Sequence, residues 1–553
     1  MKVFHIFFIC LLLSVKALAS GDIYTVKSIP EELLKDATAV IRLDNGSFEI
    51  EKLERANFKK HMVITILDER ADHFAEVLLG YDKLIKVKSI YANVYDKNGK
   101  LIKKLKSNDF EDYSNISGAS LYEDSRVKYA DLVQKEHPYT IEFEYELQYK
   151  YLYSVPNWYL VPDFNTSIQN SNYTVTYPLE LKPRYKLTHT SQQPEITTNK
   201  DVEVMKWQFE SFQAIDEEPL SRGVSSFTPV LQLAPSKFSY EGYSGDMSTW
   251  NGMAKWQQAL NEGLNDLSEE TKIKMRKLVA DLPDKKSKVE AIYQYMQNRT
   301  RYISIQLGVG GFQPFSAATV DEVGYGDCKG LSFYTKCLLE AVGIEANYSW
   351  VFGGRNSLEV DPDFPYDNFN HIILHVPLEN DTLWLECTNQ KIPAGYLGGF
   401  TDDRYALVMK NDQAQLIRTP NYLNDRNKII LKAAINLDVT GNAVSTINSS
   451  FIGQGTEYMG VRSYPGLPLS DQEKWVRRYI GIPDFSIKDF SFDEAKQELP
   501  ELYFTANFSI RGAASKLADK YAVAPTLLDP LKISLKKSNS RKSPVYLPIV
   551  GFP

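Results

Sequence analysis

Cysteine is scarce in this chain of 553 residues, with four in all, and one of them, Cys10, sits in an apolar leader. Beyond the leader only Cys328, Cys337 and Cys387 remain, an odd set that excludes a disulfide scaffold and leaves at least one thiol free. No C-x-x-C or H-E-x-x-H spacing accompanies them, so the usual zinc signatures are missing and no metal or other cofactor is expected. Basic charge is not in excess either: 63 Lys and Arg stand against 70 Asp and Glu, a net charge of −7. That balance excludes a broad basic surface for nucleic acid. Past the first twenty residues no apolar run is long enough to cross a bilayer, and there is no internal repeat or low-complexity tract. Gly308-Val309-Gly310-Gly311 lacks the Lys-Ser/Thr ending of a phosphate loop and reads as a turn.

What is present fits a multi-domain α+β protein. Lys2, the apolar run Val3–Val15 and Ala17-Leu18-Ala19 form the three parts of a secretory leader, expected over 1–19. From 20 to 240 the pattern is that of an antiparallel β domain. Ile141-Glu-Phe-Glu-Tyr-Glu-Leu-Gln-Tyr149 alternates apolar and polar residues as a half-buried strand should, and Asp96-Lys97-Asn98-Gly99 predicts a hairpin turn between Ile90–Tyr95 and Leu101–Leu105. Pro229 to Gly245, rich in Pro, Ser, Gly and Tyr, reads as a linker. A mixed core is expected over 246–410, with helical spacing in Trp250–Leu264 and Lys288–Asn298. A β-rich region over 411–553 closes the chain, with strands at Ile429–Leu437, Ala443–Phe451 and Glu501–Ile510 and a strand-like terminal run, Val545–Pro553.

The sharpest local signal is Gly324-Tyr325-Gly326-Asp327-Cys328-Lys329-Gly330-Leu331. Asp327 is a good N-cap, so Cys328 opens a helix whose buried side carries Leu331, Leu338, Leu339 and Val342 and whose end is marked by Gly343. A sulfur in the first turn meets unpaired N–H groups and the positive end of the macrodipole, which favour the thiolate. A nucleophilic thiol needs a base, and Asn370-His371-Ile-Ile-Leu-His375-Val376 reads as a strand turning at Pro377–Asp381 into Thr382-Leu-Trp-Leu-Glu386-Cys387-Thr388. Folding that hairpin brings His371 near Glu386, so that a carboxylate holds one imidazole nitrogen while the other faces the thiol. Hairpin register decides this, because a slip of one residue turns Glu386 to the other face. His375 is the rival base, and Cys337 and Cys387 read as packing residues. A metal held by Cys328, His371, His375 and Cys387 is the competing use, disfavoured because histidines four apart on a strand do not aim at one ion.

The order of Cys, then His on a strand, then an acid on the next strand resembles the transglutaminase-like family, with its papain-like core. Tyr325-Gly-Asp-Cys-Lys-Gly330 is similar to its nucleophile motif, and Asn370-His371 and Trp384-Leu-Glu-Cys-Thr388 resemble its histidine and acid motifs. Glu386 departs from the usual Asp and is longer by one methylene. The resemblance covers about residues 250–410, and the β region before it resembles a domain of unknown function found ahead of such bacterial cores. It implies catalytic Cys328, His371 and Glu386 and an acyl-thioester at Cys328 formed from peptide, protein or cell-wall amides. Hydrolysis or deamidation is the first expectation and transamidation the second outcome. An oxyanion donor is also implied, for which Gln306 is the first candidate and Gln313 the second. The leader implies export, with the periplasm or cell envelope of a Gram-negative bacterium as the expected location, and the resemblance implies further a β region continuing past Pro553. The contrasting reading is an envelope binding or scaffold protein around an idle core.

Overall fold

In Ala39–Lys52 every second residue from Asp44 onward is buried while Glu49 and Glu51 face out, the signature of a strand with one covered face. The computed structural model describes residues 22–545 apart from 116–119, 307, 355–358, 412, 424, 524–540 and 542. The expected leader and all but the first residue of the terminal run Val545–Pro553 lie outside the described residues. The fold is multi-domain, mostly β, with helices concentrated in its central region. Two compact units divide it: Met1–Asn115 with Ser125–Glu217 and Gly223–Leu233, and Ile116–Asp124 with Glu218–Arg222 and Ala234–Pro553.

The first unit is built on an eight-stranded sheet. Its order is Glu195–Asn199, Val202–Phe212, Thr166–Pro178, Ala39–Lys52, Arg55–Ile66, Tyr139–Tyr149, Ile85–Tyr95 and Leu101–Leu105. One pairing departs from the antiparallel expectation: Ala39–Lys52 runs parallel to Thr166–Pro178. The hairpin at Asp96–Lys100 forms as the sequence implies. Asp96 Oδ1 accepts from the N–H groups of Asn98 and Lys100, and Gly99 takes a φ of 78°. The Tyr139–Tyr149 strand differs from a strand with one wet face, because Glu142 is buried. Its carboxylate accepts from Tyr24, His61, Asn93 and Tyr95. Burial alone would raise its pKa, but those donors outweigh it and hold the acid down at about 2.

In the second unit a five-stranded antiparallel sheet carries the central region. Its order is Thr382–Leu385, His371–Pro377, Asn347–Val351, Tyr405–Met409 and Ala414–Arg418. The helix Cys328–Glu340 packs on it and is buried on almost every side, its Ser332 hydroxyl donating to the Ile372 carbonyl of the histidine strand at 3.3 Å. Helices Trp250–Asn261 and Lys285–Arg299 correspond to the helical spacing, but Glu269–Leu278 and Ala317–Val323 were not expected. Both are short helices whose starts are set by serine caps, Ser268 and Ser316, rather than by an apolar stripe.

The expected linker is a correction. Pro229–Gly245 contains strands Val230–Ala234 and Lys237–Tyr240 and the start of Tyr243–Asp246, with Leu231, Leu233 and Phe238 buried. Its turn formers serve a two-residue hairpin turn: Tyr240 pairs with Tyr243, and Glu241 and Gly242 take φ of 47° and 91°. The later strands Lys428–Leu437, Ala443–Ile452, Pro500–Ile510 and Phe485–Lys496 form an antiparallel sheet in that order. Helix Leu469–Tyr479, polar enough in sequence to escape notice, buries Trp475, Val476 and Tyr479 against that sheet. No helix among the described residues is long and apolar enough to cross a membrane.

Candidate active site

Cys328 opens its helix as the motif implies. Asp327 is the N-cap, and its Oδ1 accepts the Gly330 N–H at 2.9 Å. The next residue, Lys329, is buried and pairs through its ammonium with the Asp327 carboxylate. Cys328 is itself buried, 5% exposed, where its reaction would be shielded from water.

The hairpin register sets the geometry of His371 and Glu386. His375 pairs with Trp384, so Glu386, two positions on, continues the face that bears His371 and His375. The strand pairing ends at Leu385, and the Glu386 carboxylate reaches His371 Nε2 at 2.9 and 3.1 Å. Thr388 holds that carboxylate in place through its N–H at 3.0 Å and its hydroxyl at 2.5 Å, and Tyr293 donates to the Glu386 carbonyl at 2.7 Å. With Nε2 engaged, Nδ1 is the ring nitrogen left for another partner. The Cys328 thiol stands close enough to raise the proton affinity of the ring by hydrogen bonding and charge. Burial pulls the imidazolium down, but Glu386 and Cys328 together overcome it and push His371 up to about 10. Burial likewise raises Glu386, and the imidazolium and Thr388 more than reverse it, leaving its pKa below the usual glutamate value.

Phe400 closes over the imidazole edge-on, with ring centroids 5.1 Å apart. Gly353 makes room for it, since a Cβ there would stand 2.5 Å from the Phe400 ring. Asn370 fixes the start of the histidine strand by exchanging two hydrogen bonds with Gly353, at 2.6 and 3.0 Å.

The rival residues lie elsewhere. His375 meets the Asn347 amide at 3.4 Å and stacks edge-on against Trp384 at 5.0 Å, while burial lowers its pKa. Burial pushes the Cys387 thiol up to about 12, with the Thr335 and Ser332 hydroxyls beside it, and raises Cys337 as well. Among the described residues no three His, Cys, Asp or Glu side chains converge as a metal site. Gln306 lies in the short strand Ser304–Gln306, which pairs with Ser120–Glu123, and its side chain lies outside the described residues. The Gln313 amide is committed to the Leu260 carbonyl at 2.9 Å.

Two tyrosines escaped the sequence reading. Tyr302 pairs in parallel with Gly326, two residues before Cys328, and its hydroxyl is raised in pKa by burial and by the negative potential of Cys328, Asp327 and Glu386. Tyr348 is fully buried, feels the same Cys328 and Asp327, and among the described residues its hydroxyl has no hydrogen-bond partner. No spacing signal marks either residue, because strand pairing brings them in.

Residues 54–216 match a domain family of unknown function with a solved structure, DUF3857. No curated protein matches the sequence significantly. Among solved structures, a protein of Parabacteroides distasonis provisionally named a protease is similar over 86% of this chain and 95% of its own, at 12% identity and a TM-score of 0.54. At that identity the likeness establishes a shared fold. A protein of Cytophaga hutchinsonii provisionally named a cysteine protease aligns over 66% of this chain and 86% of its own, at 13% identity. Its TM-score of 0.20 is too low for a structural conclusion.

Proposed function

We propose that the protein is a thiol enzyme of the transglutaminase-like type that cleaves peptide or protein carboxamides through an acyl-thioester at Cys328. The observation that carries this reading is the buried His371–Glu386 pair at 2.9 Å, with Cys328, in the first turn of a helix, close enough to raise the proton affinity of the ring. An imidazolium that persists to about pH 10 keeps a proton donor beside the sulfur across the neutral range. The protease-named protein of the same fold points toward peptide bonds as the substrate class.

The thiolate attacks the amide carbon, and the carbonyl oxygen takes up negative charge. The Cys328 backbone N–H, with the Tyr302 hydroxyl as second donor, meets that charge. His371 then gives its proton to the leaving nitrogen as the C–N bond breaks, leaving a thioester and a neutral imidazole. Water attacks the thioester carbon while His371 takes its proton. The C–S bond breaks, releasing a carboxylic acid and restoring the ion pair. An amine in place of water gives transamidation. The leader motif supports export to the envelope as the place of action.

Alkylation by iodoacetamide tests the reading, with Cys337 and Cys387 as buried internal controls. At pH 6.5 Cys328 should react roughly 10-fold faster than in His371→Ala, as expected when an ionised thiol loses its counter-charge. Cys328→Ala should abolish amide turnover altogether. Equal alkylation rates in wild type and His371→Ala would favour the idle binding core instead.

A further inference from the structure

From Tyr396 to Asp402 every residue is buried except Phe400, which is 48% exposed. The inner side of that ring meets the His371 imidazole edge-on at 5.1 Å, and its outer side faces water. His371 and Glu386 are themselves only 8% and 3% exposed. Phe400 and Glu386 also line one cavity of about 300 Å³, so the ring borders a way by which water would reach the acid.

The strap that carries Phe400 is pinned along its length. The Phe400 carbonyl accepts the Gly354 N–H at 2.9 Å. The Tyr422 hydroxyl accepts the Leu397 N–H at 2.9 Å and donates to the Gly395 carbonyl at 3.2 Å. Another hold comes from the irregular segment Gly453–Ser463, which follows the second strand of the C-terminal sheet. Its Glu457 accepts the Gly399 N–H at 2.9 Å and the Tyr396 hydroxyl at 3.4 Å through one oxygen. Glycines make this fit possible. Gly398 takes a φ of 70°, and a Cβ there would stand 2.6 Å from that oxygen, just as a Cβ on Gly353 would meet the Phe400 ring at 2.5 Å. Asp402 and Arg462 also feel the charge of Glu457.

Water matters here because the attraction that keeps the imidazolium falls as the local dielectric constant rises. An exposed His–Glu pair is weak, and its histidine titrates near the ordinary value of about 6.5. The buried pair holds His371 up to about 10. Hydration would relieve the cost of burying the ring, but these two end states show that screening of Glu386 outweighs it.

We propose that Phe400 is a positioning residue whose ring keeps water from the His371–Glu386 pair, and that Glu457 of the C-terminal module holds the strap that carries it. The inference rests on the amide-cleaving reading, in which His371 moves the proton, and gives that module a part in the reaction.

Exchange of the His371 Cε1–H for deuterium across pH 5–11 tests it on the full chain, read by tandem mass spectrometry that separates His371 from His375. The limiting rate reports access of the ring to water, and the midpoint reports its proton affinity. Phe400→Ala should raise the limiting rate about 10-fold and lower the midpoint by about one unit, a 10-fold fall in proton affinity. Phe400→Leu, which keeps an apolar cover, should stay within about 2-fold of wild type on both. Glu457→Gln removes the charge but keeps an oxygen for the Gly399 N–H, whereas Glu457→Ala removes both. The alanine variant should therefore exchange about 3-fold faster than the glutamine variant, and this difference should vanish in the Phe400→Ala background. Should Phe400→Ala fail to fold, the two Glu457 variants decide, and equal rates for them would overturn the proposal. A limiting rate and midpoint unmoved by Phe400→Ala, with Cys328 still alkylating faster than in His371→Ala, would overturn the cover and leave the nucleophile standing. Equal alkylation in wild type and His371→Ala would overturn the amide-cleaving reading and the proposal with it.

Discussion

In the proposed reaction His371 moves the proton, and Glu386 sets its charge. Burial alone would leave the imidazole neutral at pH 7, and the carboxylate at 2.9 Å reverses that preference. Glu386→Gln keeps a hydrogen-bonding group but removes the charge, so the folded-state pKa of His371 should fall from about 10 toward or below its free value of about 6.5. The amide-cleaving rate at pH 8–9 should then drop by roughly 10- to 100-fold, with the alkaline limb of the pH profile moved down accordingly. The sign of the stability effect follows from the same pair. A raised histidine contributes stability below pH 6.5 and loses it as pH climbs through about 10, while the lowered Glu386 contributes above its free value near 4.5 and loses it in acid. Urea denaturation across pH 5–10 should therefore show wild type losing stability toward the alkaline end and Glu386→Gln starting lower and varying less. A pH–rate profile unchanged by Glu386→Gln would mean that the acid plays no part in holding the proton.

At the scale of elements, the helix that begins at Cys328 is held at its start by one aspartate with two tasks. Asp327 caps the helix by accepting from Gly330 N–H and neutralises the buried Lys329 ammonium. Asp327→Asn retains a cap acceptor, so its cost isolates the ion pair, about 3–5 kcal/mol for leaving a buried charge alone. Asp327→Asn combined with Lys329→Met should recover much of that loss, because an apolar residue of similar length needs no counter-charge. Chemical denaturation of the three variants checks it, and a full loss persisting in the double variant would place the cost in the cap instead. The beginning of this helix could be read directly, since N-cap, first turn and glycine stop are all local signals. The His371–Glu386 contact could be read nearly as well, because a four-residue hairpin connection leaves few registers and the alternation of faces chooses among them. Tyr302 could not, since it arrives by a parallel pairing across twenty-four residues. Glu142 also escaped, because a polar position in an alternating strand gives no sign that four donors wait on the covering side. The Pro229–Gly245 stretch misled for a related reason: residues that form tight turns look the same whether the chain between them is paired or loose.

For the whole molecule, the boundary between units is not a single cut. The second unit takes residues 116–124 and 218–222 from within the stretch that otherwise builds the first. The short strand Ser120–Glu123 pairs in parallel with Ser304–Gln306, directly after Arg301–Tyr302, the strand that sets Tyr302 beside the nucleophile. A fragment beginning at Ala234 would keep Cys328, His371 and Glu386 but leave Ser304–Gln306 as an unpaired edge. Such a fragment should melt below the corresponding transition of the full chain, by roughly 2–4 °C for each kcal/mol lost, and turn over amides more slowly because Tyr302, the proposed second oxyanion donor, is less well placed. Fusing residues 116–124 ahead of Ala234 through a flexible Gly-Ser linker should restore part of both, since the strand needs only proximity to re-pair. A fragment that matched the full chain in melting temperature and in amide turnover would show that the borrowed strand supports neither the core nor its site, and Tyr302 would then owe its position to the Tyr325–Gly326 pairing alone.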